Sequence, residues 1–552
     1  MLVVCCLLVP AAAALFNMTK KSWFLFLILS CVVGLIIRLN IILQSPEDIL
    51  ARYGSDDLFY YAEVAKNIVS GGGITFDGIH PTTGVQPLWV VAQLSFANWF
   101  EEPAIALRVI LLLATLFSLL TALLLPKVLS QILPKHGWAI GAVAGSIWVL
   151  HPKILQVTFE GTEAALAGFA WLLSLAAWKA AQKSSKYYLL GVVLGIGILT
   201  RIDHLVLAGM LWLFPIQNIK GFTKKAVQMI PGIVLLFGAG LFLGWLTTGE
   251  LGMDSGRVKR LHYLRLLALE NNVLFSEVSS FSLLAEQATG WLKNGSRYLS
   301  YMLHAESKVS LTLITILLAG LSWLVYKITR RGRTIRQELE GTFELVKVLK
   351  PLLFASSLIF VAYIVYLHYL RSWYLIPLFF CFALLISALF YDLLLRATAV
   401  HRKKNAFAMV FFFSCLSLLH IEAKLAPRRG VDANFFAAIN YVQEELPEGS
   451  TIGAFNSGIA GAWLSPKHTV VNLDGVINHS AVDALENFGL YDYLKEEGID
   501  YLFDYQSSVA FYHKIGGGSV LENIHLEKQY LLYGEDSLRL GLWQINFKPD
   551  ER

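Results

Sequence analysis

The fold of this protein is decided by stretches such as KSWFLFLILSCVVGLIIRLNIIL, residues 21–43, in which Arg38 is the only charge after Lys21. A helix needs about 20 mostly apolar residues to cross the hydrocarbon core of a bilayer. Similar runs recur along the 552 residues, of which 56% are hydrophobic and 15% charged, with a mean hydropathy of +0.57. Because soluble proteins carry about 25% charged residues, the sequence predicts a polytopic α-helical membrane protein.

The apolar runs predict about eleven transmembrane helices. They lie near residues 23–43, 104–125, 138–151, 164–180, 187–200, 203–216, 227–247, 309–326, 351–370, 373–395 and 406–421. The basic clusters between these segments all fall on one side of the predicted bilayer, including KITRRGRTIR (327–336) and HRKK (401–404). Since cytoplasmic loops are enriched in Lys and Arg, we expect a cytoplasmic N-terminus and an outer C-terminus. The expected location is a bacterial plasma membrane.

The same segments predict the domain organisation. Residues 1–22 are expected to form an N-terminal tail, and residues 1–17 to be an over-extended start or a dispensable tail, because Met18-Thr-Lys-Lys directly precedes the first apolar run. Residues 23–421 form the predicted transmembrane domain, with long outer loops at 44–103 and 248–308. In residues 422–552, strand-like runs such as STIGAF and HTVVNLDG alternate with helical patterns, which predicts a separate α/β domain on the outer side.

Composition excludes several classes of protein. Lys and Arg number 45 against 40 Asp and Glu, and a net charge of +5 is too small for a nucleic-acid-binding surface. The five cysteines lie in apolar segments without metal-ligand spacing, so we expect neither a disulfide framework nor a zinc site.

Acidic and basic residues from distant parts of the sequence are predicted to meet at the outer membrane surface. They are Asp56 and Asp57 in the first outer loop, Glu160 and Glu163 in FEGTEAAL, Arg201 and Asp203 in TRIDHL, the segment SGRVKRLH (255–262) and Arg371 in HYLRSWYLIP. Each has a structural explanation as well, because an aspartate caps a helix and an arginine at a segment end reaches toward the interface. As a set, however, they suit a catalytic site that needs acids and bases together. A carboxylate serves as general base, and facing cations hold a phosphate leaving group.

A family resemblance supports the functional interpretation. The loop SDDLFYYAEVAKNIVSGGGITFDGIHPTTGVQPLW (55–89) resembles the first outer loop of the GT-C superfamily, the polytopic glycosyltransferases that use polyprenyl-phosphate sugars. It is most similar to mycobacterial terminal arabinofuranosyltransferases and to aminoarabinose and mannosyltransferase types. Further matching motifs follow in the same order: EGTEAAL (160–166), TRID (200–203, where the family has TRPD more often), SGRVK (255–259), RSWYLIP (371–377) and NLDG (472–475).

The resemblance implies a role for each matching residue. Asp56 resembles the catalytic base, and Asp57 would orient that base or the acceptor. The remaining expectations are phosphate contacts at Arg201, Lys259 and Arg371, sugar or acceptor contacts at Glu163 and Asp203, and sugar contacts at His80 and Gln86, although His80 also fits a plain loop residue. A protonated general acid is unnecessary, because phosphate is a good leaving group. Some members of the family use a divalent metal, and Asp56 and Asp57 could hold such a cation, although no second acidic cluster requires one.

The predicted reaction is therefore the inverting transfer of a sugar from a polyprenyl-monophosphate donor to an acceptor in the cell envelope. That acceptor is a lipid, a glycan or a protein. The alternative function is a transporter or flippase of lipid-linked saccharides, which would show inverted repeats and charged residues at the bilayer midplane. A third possibility is a membrane scaffold whose outer domain binds partners.

Overall fold

The computed structural model describes residues 20–214, 219–271, 339–366, 371–392, 433–465, 467–518, 520–531 and 539–547. Nine of the eleven predicted transmembrane segments overlap helices in these ranges. The segments 309–326 and 406–421, the basic runs 327–336 and 401–404 and residues 1–17 lie outside them. Six of the described helices are long and apolar enough to cross a membrane, or seven if one bent pair counts as a single span.

The membrane part is a bundle of helices. Its helices are α1 (Lys20–Ile42), α5 (Pro103–Ile132), α6 (Gly137–Leu150), α7 (Pro152–Thr158), α8 (Ala164–Ser184), α9 (Tyr188–Thr200), α10 (His204–Leu213), α11 (Ile219–Thr248), α13 (Glu340–Tyr366) and α14 (Ile376–Phe390). The first outer loop, called loop 1 below, contains α2 (Pro46–Arg52), α3 (Asp57–Ser70) and α4 (Pro87–Leu94). The second outer loop begins with α12 (Asp254–Asn271).

The bend between α6 and α7 leaves a helix end inside the bundle, and a buried arginine binds to that end. The two helices meet at an angle of 64°, because Pro152 lacks an N–H group and cannot continue the ladder of α6. The fully buried Arg38 donates hydrogen bonds to the carbonyl oxygens of Val149 (2.9 Å) and Gly34 (3.1 Å) and to Ser118 Oγ (3.2 Å). A cation at a helix C-terminus offsets the partial negative charge there. Arg38 therefore stabilises the broken end of α6.

The outer domain is the predicted α/β domain. Its strands are β1 (Thr451–Ala454), β2 (Thr469–Asn472), β3 (Tyr501–Tyr505), β4 (Ile524–Leu531) and β5 (Arg539–Ile545), and they form one sheet in the order β2-β1-β3-β5-β4. The strands β1, β2 and β3 are parallel, and β5 pairs antiparallel with both β3 and β4. The helices are α15 (Ala433–Glu445), α16 (Ser457–Leu464), α17 (His479–Glu486), α18 (Leu490–Glu496) and α19 (Gln506–Ile515).

The outer domain packs directly against loop 1. One buried apolar cluster contains Phe59 and Phe76 of loop 1 together with Ile459 and Leu464 of α16. A second cluster places Val258 of α12 among the core side chains of the outer domain. Burial of apolar surface is the main favourable term in such contacts, so loop 1, α12 and the outer domain form one packed layer above the helices.

Candidate functional site

A cavity of about 410 Å³ lies where loop 1, the outer ends of the helices, α12 and the outer domain meet. Five of the residues expected at the site line it: Asp57, Gln86, Glu163, Arg201 and Lys259. Aromatic side chains make up much of the remaining wall: Tyr60, Tyr61, Tyr363, Trp373 and Tyr374. The outer domain contributes Val476 and Ile477. The structure therefore brings together residues that are more than 400 positions apart in the sequence.

Arg201 is enclosed by acidic and phenolic oxygens. It forms an ion pair with Glu163 and a second one with Asp203 (2.9 Å), and its Nη2 donates to Tyr363 Oη (3.1 Å). Tyr61 Oη also donates to Glu163 (2.7 Å). Two buried carboxylates already balance the guanidinium charge of Arg201. Arg201 is therefore better suited to ordering the floor of the cavity than to supplying positive charge to a phosphate.

Lys259 is a cavity cation without a carboxylate within ion-pair distance among the described residues. Its Nζ donates to Tyr374 Oη at 2.9 Å, and Tyr374 stacks on Tyr363 with ring centroids 4.5 Å apart. Burial lowers the pKa of Lys259, but the Tyr374 oxygen and the charge of Asp57 outweigh that effect, so its pKa is raised. The ammonium group is therefore charged at neutral pH.

The position of Lys259 is set by the first residue of its helix. The carboxylate of Asp254 accepts a hydrogen bond from the Thr83 N–H (2.7 Å) and lies 2.7 Å from His479 Nδ1. Thr83 belongs to loop 1 and His479 to the outer domain. Asp254 thus fixes the start of α12 between the two.

Arg371 lies beside the cavity rather than in its lining. Its side chain is exposed, and its guanidinium carbon stands 5.8 Å from the ring centroid of Trp373. Its charge also lowers the pKa of Lys259, although the net shift of Lys259 is upward. The two cations are therefore neighbours at one end of the site.

Asp56 and Asp57 point to different partners although they are adjacent. Asp57 lines the cavity. The carboxylate of Asp56 instead accepts hydrogen bonds from the backbone N–H groups of Gly458 (3.0 Å) and Ile459 (2.7 Å), in the first turn of α16. A carboxylate is favourable at a helix N-terminus because the unpaired N–H groups carry partial positive charge. Asp56 therefore caps a helix that lies 400 residues further along the chain.

Burial raises the pKa of Asp56 to about 6. The hydrogen bonds from Ile459 and Gly458 oppose this rise, the charge of Asp57 adds to it, and a hydrogen bond with Tyr60 opposes it. The role of catalytic base expected for Asp56 stays a prediction, and the geometry favours Asp57 for contact with a substrate.

Sequence reasoning did not assign a site role to Asp474. This residue belongs to the NLDG motif and follows β2. Burial raises its pKa to about 7 against hydrogen bonds from the Val476 N–H and Asn472, and the charge of Asp57 raises it further. The match of NLDG to the family was the signal that could have identified it.

His80 and Asp203 lie outside the cavity lining. His80 is buried between two carboxylates, with Nδ1 2.6 Å from Asp77 and Nε2 3.0 Å from Glu497 of the outer domain. Burial lowers the pKa of His80, but these two acids outweigh it and the pKa is raised. Its described contacts join loop 1 to the outer domain, and its expected sugar contact remains a prediction. Asp203 stands behind Arg201.

Two groups of acidic residues lie where a divalent cation would be sought. Both oxygens of Asp56 are engaged by backbone N–H groups, so the adjacent acid pair does not present two free carboxylates. Glu250, His479 and Asp483 place one ligand atom each within 4.8 Å of one another. The guanidinium of Arg257, however, already binds Glu250 and Asp483. Neither set fits a metal well.

Comparison with solved structures identifies the fold. The apo crystal structure of the Archaeoglobus fulgidus oligosaccharyltransferase matches with a TM-score of 0.55 at 11% identity, over 95% of this chain and 77% of that chain. The complex of that protein with Zn and sulfate matches with a TM-score of 0.52 at 11% identity, over 89% and 69%. AglB from A. fulgidus, in complex with an inhibitory peptide and a dolichol-phosphate, gives 0.51 at 11% identity, over 95% and 74%.

ArnT from Cupriavidus metallidurans bound to undecaprenyl phosphate matches more weakly, with a TM-score of 0.45 at 12% identity, over 93% of this chain and 97% of that chain. No protein-family model matches the chain, and no curated protein has a similar sequence. The structural likeness confirms the predicted architecture, a polytopic helical membrane domain followed by a C-terminal α/β domain. The chain therefore shares the fold of these solved oligosaccharyltransferase structures.

Proposed function

We propose that this protein is an inverting glycosyltransferase. It transfers a sugar from a polyprenyl-monophosphate donor to a cell-envelope acceptor at the outer face of a bacterial plasma membrane. The observation that carries the proposal is the cavity itself, which both Asp57 and Lys259 line at the ends of membrane helices. The basic clusters on the opposite side of the predicted bilayer support the orientation.

The proposed reaction is a single displacement. Asp57 accepts the proton of the acceptor hydroxyl while the hydroxyl oxygen attacks the anomeric carbon. The bond between that carbon and the phosphate oxygen breaks, and its electron pair leaves with the lipid phosphate. Attack from the face opposite the leaving group inverts the anomeric configuration. Lys259 and Arg371 stabilise the negative charge that develops on the phosphate.

Arg201, Glu163 and Asp203 shape the site in this proposal. Their buried ion pairs hold Tyr61 and Tyr363 in the cavity wall, where aromatic faces are suited to contact sugar rings. Asp203 therefore holds Arg201 from behind the cavity wall and does not itself contact the sugar. Gln86, which lies just before α4 and lines the cavity, is positioned to bond a sugar hydroxyl.

The likeness to solved structures supports a lipid donor. The AglB structure contains a dolichol-phosphate, which is a polyprenyl phosphate of the kind proposed here. The structure with Zn and sulfate raises the question of a metal, but the acids described here do not form a convincing ligand set. No step of the mechanism therefore uses a metal, and transfer is expected to continue in EDTA.

The test uses the full-length protein in lipid nanodiscs with a radiolabelled polyprenyl-phosphate sugar and a cell-envelope acceptor preparation. Asp57→Asn is expected to lower the transfer rate by about 100-fold or more, because the base is lost. Lys259→Met is expected to raise the donor KM, because the phosphate loses a cation. Lys183→Met, exposed at the other end of α8, is the matched control and should behave as the wild type.

Two outcomes would contradict the proposal. A wild-type transfer rate in the Asp57→Asn variant would contradict the carboxylate mechanism. Movement of lipid-linked sugar across vesicles without consumption of the donor would identify a flippase instead.

A further inference from the structure

A second cavity, of about 220 Å³, lies between loop 1 and the outer domain and is called the side cleft below. Most of its lining is polar: Glu63, Lys66 and Asn67 from α3, and Ser465, His468 and Thr469 from the outer domain. A water-sized group needs about 10–15 Å³ of such space. The side cleft therefore has room for a small organic molecule of the size of one sugar ring.

The side cleft adjoins the transfer cavity, which is the larger cavity lined by Asp57 and Lys259. Tyr60 lines the transfer cavity and Phe76 lines the side cleft, and their rings meet edge to face with centroids 5.7 Å apart. Glu63 lies about 9 Å beyond Asp57 along the axis of α3, because a helix rises about 1.5 Å per residue. A ligand made of linked units can therefore reach from one cavity to the other.

The outer domain holds α16 alongside α3 at the side cleft. At one end, Asp56 accepts the N–H groups of the first turn of α16. At the other end, Lys66 Nζ lies 3.5 Å from Oγ of Ser465, the residue that follows α16. Between them, a Cβ on Gly461 would stand 2.3 Å from the ring of Phe76, closer than real Cβ atoms approach. Packing therefore fixes the walls of the side cleft.

Two polar side chains of the side cleft are more than nine-tenths buried. Glu63 is 4% exposed and pairs with Lys66. His468 is 3% exposed, and neither of its ring nitrogens forms a hydrogen bond with a described residue. The Val442 carbonyl lies near enough to favour a proton on the ring, but not in the geometry of a hydrogen bond. A buried polar group without a partner is costly, so His468 is a place where a ligand group would be stabilising.

The charges of the side cleft favour a neutral ligand. The Lys66 ammonium is already paired with Glu63. The carboxylate of Asp77, which also lines the side cleft, accepts backbone N–H groups of loop 1 and pairs with His80. Burial lowers the pKa of His468, so its ring is neutral. A phosphate would therefore find carboxylates but no unpaired cation among the described lining residues, and anion recognition needs such a cation.

The polar groups offer both donors and acceptors to that ligand. Asn67 uses its amide N–H groups for two backbone carbonyls of loop 1, which leaves its amide oxygen as an acceptor. Ser465 and Thr469 carry hydroxyls, and the neutral His468 ring has one donor and one acceptor nitrogen. Side-chain rotation on binding is common and would turn that ring toward a ligand. An apolar ligand would leave these groups unsatisfied, whereas the hydroxyls of a saccharide match them.

We propose that the side cleft binds one saccharide unit of the acceptor, so that the acceptor of the transfer reaction is a glycan. This inference rests on the proposed function. The reactive hydroxyl of the glycan lies beside Asp57 in the transfer cavity, the chain passes over the contact between Tyr60 and Phe76, and a further sugar unit occupies the side cleft. The side cleft binds and positions the acceptor and takes no part in bond making.

The experiment uses the full-length protein in nanodiscs, a radiolabelled polyprenyl-phosphate sugar, and neutral oligosaccharides of graded length released from a cell-envelope glycan by partial hydrolysis. In the wild type, the acceptor kcat/KM should rise about tenfold or more once the chain is long enough to reach the side cleft. Two variants should lower the ratio of long-chain to short-chain kcat/KM to about one. His468→Phe keeps a ring but loses both nitrogens, and Ser465→Trp fills the exposed rim. A general loss of folded enzyme cancels in this ratio.

His525→Phe is the matched control and should keep the wild-type ratio, because His525 is exposed on β4, at the opposite edge of the sheet from β2. A wild-type ratio in folded His468→Phe or Ser465→Trp overturns the inference, as does a wild-type enzyme whose kcat/KM is independent of chain length. If His468→Phe does not fold, Ser465→Trp decides.

Equilibrium dialysis of the longest labelled oligosaccharide measures binding without transfer. The Kd should rise about tenfold or more in both variants and stay unchanged in His525→Phe. A wild-type protein that binds none of the oligosaccharides, or variants with the wild-type Kd, overturn the inference. A wild-type protein that transfers no sugar from any polyprenyl-phosphate donor contradicts the proposed function instead, and saccharide binding that both variants lose would then still support the side cleft. The two failures are therefore distinguishable.

Discussion

Gly458 of the outer domain touches the backbone of Asp56 in loop 1, and a side chain on Gly458 would stand 2.1 Å from the carbonyl oxygen of Asp56. At the same place the Asp56 carboxylate accepts the N–H groups of Gly458 and Ile459. Loop 1 and the outer domain therefore contact each other through backbone atoms and through the Asp56 cap of α16, rather than through long side chains. Such a contact tolerates little change in distance.

Gly458→Ala is expected to separate loop 1 from the outer domain without altering any charged group. The new methyl group cannot occupy its position, so the thermal midpoint should fall by several degrees, and the transfer rate should fall by about tenfold or more because the cavity wall moves. Gly489→Ala is the matched control, because its Cβ would lie at an ordinary 3.7 Å from Ala484 O. Equal behaviour of the two variants would contradict the docking interpretation.

Asp56 should give the stability of the protein a definite pH dependence. Burial raises its pKa from an ordinary value of 3.8 to about 6. Between these pH values the folded protein binds more protons at Asp56 than the unfolded chain, so this residue makes the protein less stable as the pH rises. Asp56→Asn lacks this contribution.

The thermal midpoint of Asp56→Asn relative to the wild type should therefore improve as the pH is raised from about 4 to 6. The measurement is thermal unfolding of both proteins at matched pH values. A constant difference between them would show that Asp56 does not titrate in this range.

Arg201→Lys should be far from conservative. A lysine cannot bond Glu163, Asp203 and Tyr363 at once with the planar geometry of a guanidinium, and it leaves buried carboxylates poorly paired. We expect a kcat/KM for transfer at least about tenfold lower, since breaking a buried ion pair costs about 3–5 kcal/mol. Arg539→Lys, exposed on β5, is the control. An unchanged kcat/KM in Arg201→Lys would show that Arg201 does not contribute to the site.

Arg38→Met should weaken the membrane domain and leave the chemistry intact. Methionine fills much of the volume but gives the Val149 carbonyl no donor, and an unsatisfied buried acceptor costs about 1–3 kcal/mol. The expected result is a lower thermal midpoint with unchanged transfer by the folded fraction. Arg52→Met, which is half-buried in loop 1, serves as the comparison. A normal thermal midpoint would show that Arg38 does not stabilise the end of α6.

The membrane helices and the motif residues could be predicted because they depend on local pattern. An apolar run such as residues 104–125 crosses a bilayer whatever surrounds it, and α5 occupies Pro103–Ile132. The gathering of these polar residues at one membrane surface followed from the predicted topology, and Asp57, Glu163, Arg201 and Lys259 do line one cavity. The expected functions of these individual residues stay predictions.

The partners of those residues could not be predicted, because they come from distant parts of the chain. Asp56 and Asp57 are adjacent in sequence and were interpreted as one acid pair, yet successive side chains at a helix start point in different directions. Asp56 reaches α16, and Asp57 reaches the cavity. Arg201 was expected to contact a phosphate, and its pairing with Glu163 and Tyr363 could not be predicted because neither residue is near it in sequence.

The sequence by itself determined that this chain crosses a membrane many times, that an α/β domain follows, and which residue types gather on one side of the bundle. These properties rest on hydrophobicity and charge, which each segment carries alone. Only the tertiary structure decided which carboxylate lines the cavity, which cation is already neutralised, and that Asp56 caps a helix of the outer domain. Such properties depend on docking between elements hundreds of residues apart, where distance and burial set the chemistry.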